Sequence, residues 1–304
     1  MTFSSEVKKE LTSLEADEVV LAALIRMNGS LALSNKLSLF VVTENATTAR
    51  YIYSLLIDIY DIKSEIRTQQ KNNLSKNRSY TVVIDEDVPE LLSQLDLADG
   101  LLLDNGLPES VKYDERKSIK YLRGVFLSSG NVSDPDSGKY QLSMTLVHQE
   151  QAEDLKEILH ELGFEAKILK RKNNFILYLS KAEQIMDFLT LIGANKARLT
   201  YESAKIVREV RNQVNRQVNF ETANLTKSIS ASLNIIDKIN LIDKKLGLEN
   251  IPENLAQIAI LRRDNPEATI QDLGRLLNPP LGKSGVNHRL RKLSQMADDL
   301  EEKD

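Results

Sequence analysis

The sequence predicts an α+β domain built from two similar halves, followed by a smaller all-α domain. Three observations lead there. The first hundred residues alternate helical and strand periodicities, a similar order of elements restarts near Ile119, and the chain beyond about Asn195 carries helical spacing alone. With 304 residues and 41% hydrophobic content, the chain is long enough for two or three domains with real cores.

The first half opens with a helical pattern from Phe3 to about Met27, in which Leu11, Leu14, Val19, Leu21, Leu24 and Ile25 fall near helical spacing and Gly29 ends the run. Leu31, Leu33, Leu37, Leu39 and Val41 then alternate as in two pleated strands with one buried face. A helix follows from about Thr47 to Tyr60. Lys63 to Gln69 and Tyr80 to Asp85 read as strands split by the polar KNNLSKN. Val88 to Leu95 returns to helix, with Asp87 near the cap and Pro89 in the first turn.

The second half repeats that order. YLRGVFLSSG reads as a helix ended by Gly130, YQLSMTLVH as a strand, and Gln149 to Leu162 as a helix stopped by Gly163. EAKILKRK and NFILYLS form a hairpin around Lys172 to Asn174, and Ala182 to Ile192 closes the unit as a helix. A shift of 101 residues lays Gly29 on Gly130, Leu24 on Val125, Ile25 on Phe126 and the small Ala23 on Gly124. Duplication is the simplest account.

Beyond Asn195, the polar segment from Tyr201 to about Val218 carries Lys205, Arg208, Arg211 and Arg216 and reads as a linking helix. Helical patterns continue from Ile229 to Leu246 and end near Gly247. Pro252 then lies near the start of a helix running to about Asp264, broken by Asn265 and Pro266. Thr269 caps a second helix, with Asp272 in the place of a capping-box acid and Ile270, Leu273, Leu276 and Leu277 as its apolar positions. After NPPLGK, Ser284 begins a third helix whose Val286, Leu290 and Leu293 make a buried stripe.

Composition removes several function classes. There is no cysteine and there are three histidines, which excludes disulfides, cysteine-ligated zinc and thiol nucleophiles and leaves little for a transition-metal site. No metal or other cofactor is expected. No apolar run reaches the roughly 18 residues of a spanning helix, and MTFSSEVKKEL lacks the apolar core of a secretion signal, so a cytoplasmic protein with no membrane partner is expected. The net charge of -4 argues against a nucleic-acid partner only on average. Between Ala256 and Leu293, the bases Arg262, Arg263, Arg275, Lys283, Arg289, Arg291 and Lys292 outnumber the acids Asp264, Glu267 and Asp272.

Three short helices, the last small and basic, outline a helix-turn-helix module, although NPPLGK is longer than the usual tight turn. Double-stranded DNA is the expected partner. Lysine and arginine on one helix gain affinity by releasing counterions from phosphates, while Asn287, His288 and Arg289 carry the donors and acceptors that read base edges. Lys283, Ser284, Asn287, His288, Arg289, Arg291 and Lys292 are the candidate DNA-binding residues. Ser284 and Gly285 leave room for the helix N-terminus to approach a phosphate.

The run NPPLGKSGVNHRLRKL, Asn278 to Leu293, is similar to the C-terminal helix-turn-helix signature of the WhiA family of bacterial transcription regulators, and NRQVNFETAN, Asn215 to Asn224, resembles that family's interdomain segment. The resemblance implies an N-terminal domain similar to LAGLIDADG homing endonucleases joined to a DNA-binding domain. It places the nuclease-like domain at residues 1–200, with repeats at about 1–100 and 115–200, a linker helix at 201–222 and the helix-turn-helix domain at 223–304. Against L-A-G-L-I-D-A-D-G, Leu21, Ala22, Leu24, Ile25 and Gly29 match, and the second copy keeps Leu122, Gly124 and Gly130. Ala22, Ala23, Gly124 and Ser128 permit the close helix approach of such domains.

The penultimate motif position, where the nucleases carry a metal-binding acid, holds Asn28 and Ser129. A neutral amide and a hydroxyl neither neutralise nor firmly hold a divalent ion, so no catalytic residues are expected and the protein is read as a non-enzyme. Asp134 and Asp136, in a DPDSG turn, are the nearest substitutes, with no counterpart after Gly29. The resemblance implies a nucleoid-associated transcription regulator acting in sporulation, or in cell division and chromosome segregation, with protein partners in the transcription or division machinery. A second, metal-independent DNA surface would use Arg67, Lys71, Lys76 and Arg78 in one half and Lys167, Lys170, Arg171 and Lys172 in the other. Two other readings stay open: a divalent-metal-dependent DNA endonuclease, and a nucleoid or cell-division scaffold that binds DNA loosely.

Overall fold

The computed structural model describes residues 2–70, 78–99, 102–103 and 106–302, and divides into two compact units, Met1–Arg208 and Glu209–Asp304. The first unit runs α1 (Phe3–Leu11), α2 (Glu18–Asn28), β1 (Gly29–Leu33), β2 (Leu37–Thr43), α3 (Ala46–Tyr60), β3 (Glu65–Gln70), β4 (Arg78–Ile84), α4 (Val88–Gln94), the short pair β5 (Ala98–Asp99) and β6 (Leu102–Leu103), and α5 (Glu109–Lys112). The order restarts with α6 (Glu115–Ser129), β7 (Gly130–Val132), β8 (Leu142–Leu146), α7 (Gln149–Glu161), β9 (Lys167–Arg171), β10 (Asn174–Leu179) and α8 (Ala182–Leu191).

The duplication is visible in the sheets. They have the same antiparallel order, β1-β2-β4-β3 and β7-β8-β10-β9. Their registers correspond too: Val41 lies opposite Gly29 and Val82, as Met144 lies opposite Gly130 and Leu177. Val82 in turn faces Ile66, and Leu177 faces Ile168. One face of each sheet buries its alternate residues, Leu39, Val41, Val82 and Ile84 in one and Leu142, Met144, Leu177 and Leu179 in the other.

Between the halves, α2 and α6 pack against each other through the small residues at their matched positions. A Cβ on Gly124 would stand 2.5 Å from the Cβ of Ala23 and 2.8 Å from the carbonyl oxygen of Val20. Only glycine lets the two backbones come this close. Around the contact, Val20, Leu21, Leu24, Leu122, Val125 and Phe126 are buried in one continuous core.

Three local expectations need correction. The helix expected from Phe3 to Met27 is two, because the Asp17 carboxylate caps a new start by accepting from the Val19 N–H at 2.9 Å. Asp87 precedes α4 but does not cap it; its backbone is left-handed (φ 50°) and its side chain makes no cap bond. The strand Gly130–Val132 was not expected, since a three-residue segment carries too little alternation to register, yet it pairs with Leu142 to Met144.

α9 (Asn195–Leu246) begins in the first unit, where Tyr201 is fully buried beside Phe3 and Tyr140, each with its ring centroid 5.9 Å away. The second unit holds its C-terminal end with α10 (Glu253–Asp264), α11 (Ile270–Leu276) and α12 (Lys283–Glu301). Ile239, Ile242, Leu255, Ile258, Leu273, Val286, Leu290 and Leu293 form its core. Thr269 caps α11 as expected, accepting from the Asp272 N–H at 3.2 Å while its hydroxyl donates to the Asp272 carboxylate at 2.6 Å. The NPPLGK segment folds back so that the Leu281 N–H donates to the Gly274 carbonyl at 2.8 Å. A side chain at Gly274 would run into the Leu281 carbonyl, so the turn between α11 and α12 depends on that glycine.

Substituting Gly124→Ala inserts a methyl group where the α2 backbone already stands. The expected cost is about 1–3 kcal/mol, read as a lower urea midpoint at unchanged slope; an unaltered midpoint would show that the two helices do not depend on this approach.

Candidate nucleic-acid interface

α12 is two-sided because its apolar residues recur at helical spacing. Val286, Leu290, Leu293 and Ala297 are buried, while Lys283, Ser284, His288, Arg291 and Lys292 are exposed. Ser284, His288 and Arg291 follow one another along one helix face, with Lys292 beside them. No side chain caps the start of α12, which leaves its first N–H groups and the positive end of the helix dipole at the same end as Lys283 and Ser284.

Two candidates are more constrained than the sequence implied. Arg289 is half-buried and its Nη1 donates to the Asn254 carbonyl in α10 at 3.2 Å, which ties α12 to α10. Asn287 is also half-buried and lines a cavity of about 320 Å³ with Ile235, Arg262, Ile270, Leu290 and Arg291. The local charge surplus shrinks as well. Arg262 is buried and its Nη1 donates to the Ala268 carbonyl at 2.7 Å, bracing the α10–α11 connection, and Arg263 pairs with Asp243 at 2.8 Å.

In the first unit, the expected second surface is partly assembled. Lys71 and Lys76 lie outside the described residues. Arg67 is exposed on β3 and bound to Glu65 at 2.8 Å, which offsets its charge. Lys167, Lys170 and Arg171 are exposed on the corresponding edge strand β9, and Lys172 sits in the following turn at φ 54°. The shared register sets Arg67 against Leu169, so the two basic groups coincide by strand and not by residue. Lys167 and Arg171 face away from the core. Lys170 lies on the core-facing side, 5.5 Å from the Phe175 ring centroid.

Arg78 belongs to a different feature, a cavity of about 900 Å³ where α2 and α6 both end. Asn28, Ser128 and Ser129 line it with Ser4, Lys8, Glu44, Asn131 and Thr145. The Ser128 hydroxyl donates to Asn28 Oδ1 at 2.9 Å across the two halves, and Ser129 Oγ accepts from the Thr145 N–H at 3.2 Å. Among the described residues there is no group of three or more histidines or carboxylates able to hold a metal ion. Asp134 and Asp136 do not line the cavity: Asp134 caps its own turn by accepting from the Asp136 N–H at 2.9 Å, and the Asp136 carbonyl accepts from Arg208 at 2.8 Å.

The buried cation here is Lys8, which no pattern in the sequence singles out. It is 9% exposed, and its Nζ donates to the Ser128 carbonyl at 3.3 Å. That carbonyl belongs to the last turn of α6, the negative end of its dipole. Burial pushes the Lys8 amine down to about 8, against the opposing attraction of Glu44. In sequence Lys8 merely flanks the stripe of Phe3, Val7 and Leu11, so only its partners distinguish it.

Holding Lys8 charged therefore costs the fold on the order of a few kcal/mol near neutral pH. Lys8→Met should raise the thermal midpoint at pH 7. In the unfolded chain the amine titrates near its ordinary 10.5, in the folded protein near 8. Between those values the unfolded state holds more protons, so the wild type gains stability as pH rises above 8 and the gap to the variant should close by about pH 10. A Met variant less stable than wild type at pH 7 contradicts this.

Comparison with known proteins accounts for both units in order. Residues 15–98 match the WhiA N-terminal LAGLIDADG-like domain, residues 118–211 the WhiA LAGLIDADG-like domain and residues 214–297 the WhiA C-terminal HTH domain. The chain is 57% identical over 300 residues to a probable cell division protein WhiA of Lactococcus lactis, covering 99% of this chain and 98% of the relative. It is 47% identical over 303 residues to the protein of the same name in Streptococcus sanguinis, covering 99% and 100%. Among solved structures, full-length WhiA from Thermatoga maritima aligns with a TM-score of 0.61 at 25% identity, over 98% of this chain and 99% of that one. The separate N-terminal LAGLIDADG domain of a WhiA protein aligns at 0.51 and 22%, over 63% and 90%. With two duplicated LAGLIDADG-like halves ahead of a helix-turn-helix unit, and relatives this similar along nearly their whole length, the chain belongs to the WhiA family.

Proposed function

We propose that this protein is a sequence-specific DNA-binding transcription regulator acting in cell division, whose LAGLIDADG-like domain contacts DNA without cutting it. The observation that carries the reading is the exposed face of α12, where Ser284, His288, Arg291 and Lys292 stand opposite a fully packed apolar stripe. A helix so anchored can enter a major groove without losing its fold. Lys283 and Lys292 supply phosphate neutralisation, His288 and Arg291 the base-edge donors, and Arg289, through Asn254, a fixed orientation. The names of the relatives support cell division over sporulation.

The absence of cleavage rests on the donor set. Where α2 and α6 end, the side chains among the described residues are amides, hydroxyls, the cations Lys8 and Arg78 and one carboxylate, Glu44, and a divalent ion needs several carboxylates to hold and neutralise it. An ammonium in the same space repels a metal.

Arg291→Ala should weaken binding to a target duplex, taken from genome-wide mapping of bound DNA, by roughly ten- to a hundredfold at moderate salt and relax preference at one base position. Equal affinity of the variant for target would remove α12 as the reading element. A supercoiled plasmid incubated with the protein and magnesium should stay intact; nicking that disappears on chelation would overturn the non-cutting reading.

A further inference from the structure

The cavity at the ends of α2 and α6 has more hydrogen-bond donors than the fold uses. Lys8 holds its place because α1 is pinned: Ser4 Oγ donates to Asn131 Oδ1 at 2.7 Å and to the Val132 carbonyl at 2.8 Å, and accepts from the Val132 N–H at 2.9 Å. One turn later along α1, the Lys8 ammonium has three N–H groups and the long bond to Ser128. Asn28 gives its oxygen to Ser128, which leaves its amide nitrogen as a donor toward the cavity. Arg78, the first residue of β4, stands exposed at the rim. Against these donors the lining has, among the described residues, a single carboxylate, Glu44.

A buried amine that weakens the fold, carried on a helix that Ser4 pins in place, is a placed group and not a packing accident. Two helix C-termini explain why a cation is tolerated there, since both present the negative ends of their dipoles. They do not use its remaining protons. The ligand that would is compact, anionic and rich in acceptor oxygens.

We propose that Lys8, Asn28 and Arg78 form a phosphate-binding site that takes a backbone phosphodiester of duplex DNA, with the ammonium of Lys8 serving where a nuclease would use a metal ion. The inference rests on the DNA-binding reading above and locates its second contact. The open rim favours a phosphate within a polymer over a free ion: Arg78, Glu44 and Asn131 are exposed at its edge, and a cavity of about 900 Å³ far exceeds one phosphate group. The same domain carries further cations on an edge strand, Lys167 and Arg171.

The test uses the full-length protein with Lys8→Met and Lys8→Gln, and fluorescence anisotropy with target and unrelated duplexes over a series of salt concentrations. Losing one phosphate contact should reduce the slope of log K against log salt by about 0.9. Affinity should fall several-fold, equally for both duplexes, in variants whose thermal midpoint is no lower than wild type. Unchanged slope and affinity in both variants overturn the site. So does a wild-type midpoint raised by millimolar inorganic phosphate but not in the variants, with DNA binding unaltered, because the site then takes a free anion. The parent reading is judged separately: if Arg291→Ala abolishes target preference while the Lys8 variants bind as wild type, only the phosphate site falls.

Discussion

The close approach of α2 and α6 is the constraint on which the first domain depends. Two helix backbones can meet as tightly as Gly124 and Ala23 do only if neither carries a larger side chain at the crossing. That contact sits in a core shared by both halves, into which both sheets, of the same strand order, bury their inner residues. It also carries Asn28 and Ser128 to within a hydrogen bond of each other, although they are 100 residues apart in the chain. The floor of the cavity at the helix ends follows from that meeting.

Electrostatics decide what the cavity can hold. Helix C-termini concentrate partial negative charge, which favours a cation beside them. The chain meets it with Lys8 from α1, an amine whose burial opposes its own ionisation. The arrangement exchanges stability for a fixed positive charge. A fixed charge needs no free ion and is not lost on chelation.

In the second unit the governing device is smaller. The bond from Leu281 to Gly274 closes the turn between α11 and α12, and the stripe from Val286 to Ala297 then seats α12 on α9, α10 and α11. With one face committed to packing, Lys283, Ser284, His288, Arg291 and Lys292 are left facing solvent. Arg262 and Arg263 show the limit of counting charge along the sequence: one braces a loop from inside, the other is paired with Asp243.

Much of this was legible from the residues in order. Periodicity determined the longer strands, most of the helices, the duplicated order and the two-sided character of α12, because burying one face imposes a regular spacing on the sequence. Residue chemistry determined that Asn28 and Ser129 cannot serve as carboxylates. The break between α1 and α2 and the short strand β7 were not legible, since a capping bond at Asp17 and three residues of pairing leave no period to detect. Nor was Lys8, which sequence places in an unremarkable turn of an N-terminal helix. Only the tertiary structure decided that its amine reaches the Ser128 carbonyl, that Arg289 is bound to Asn254, and that Arg262 is internal. These are contacts between residues distant in the chain, and spacing along a chain records which face a residue occupies, not what that face meets.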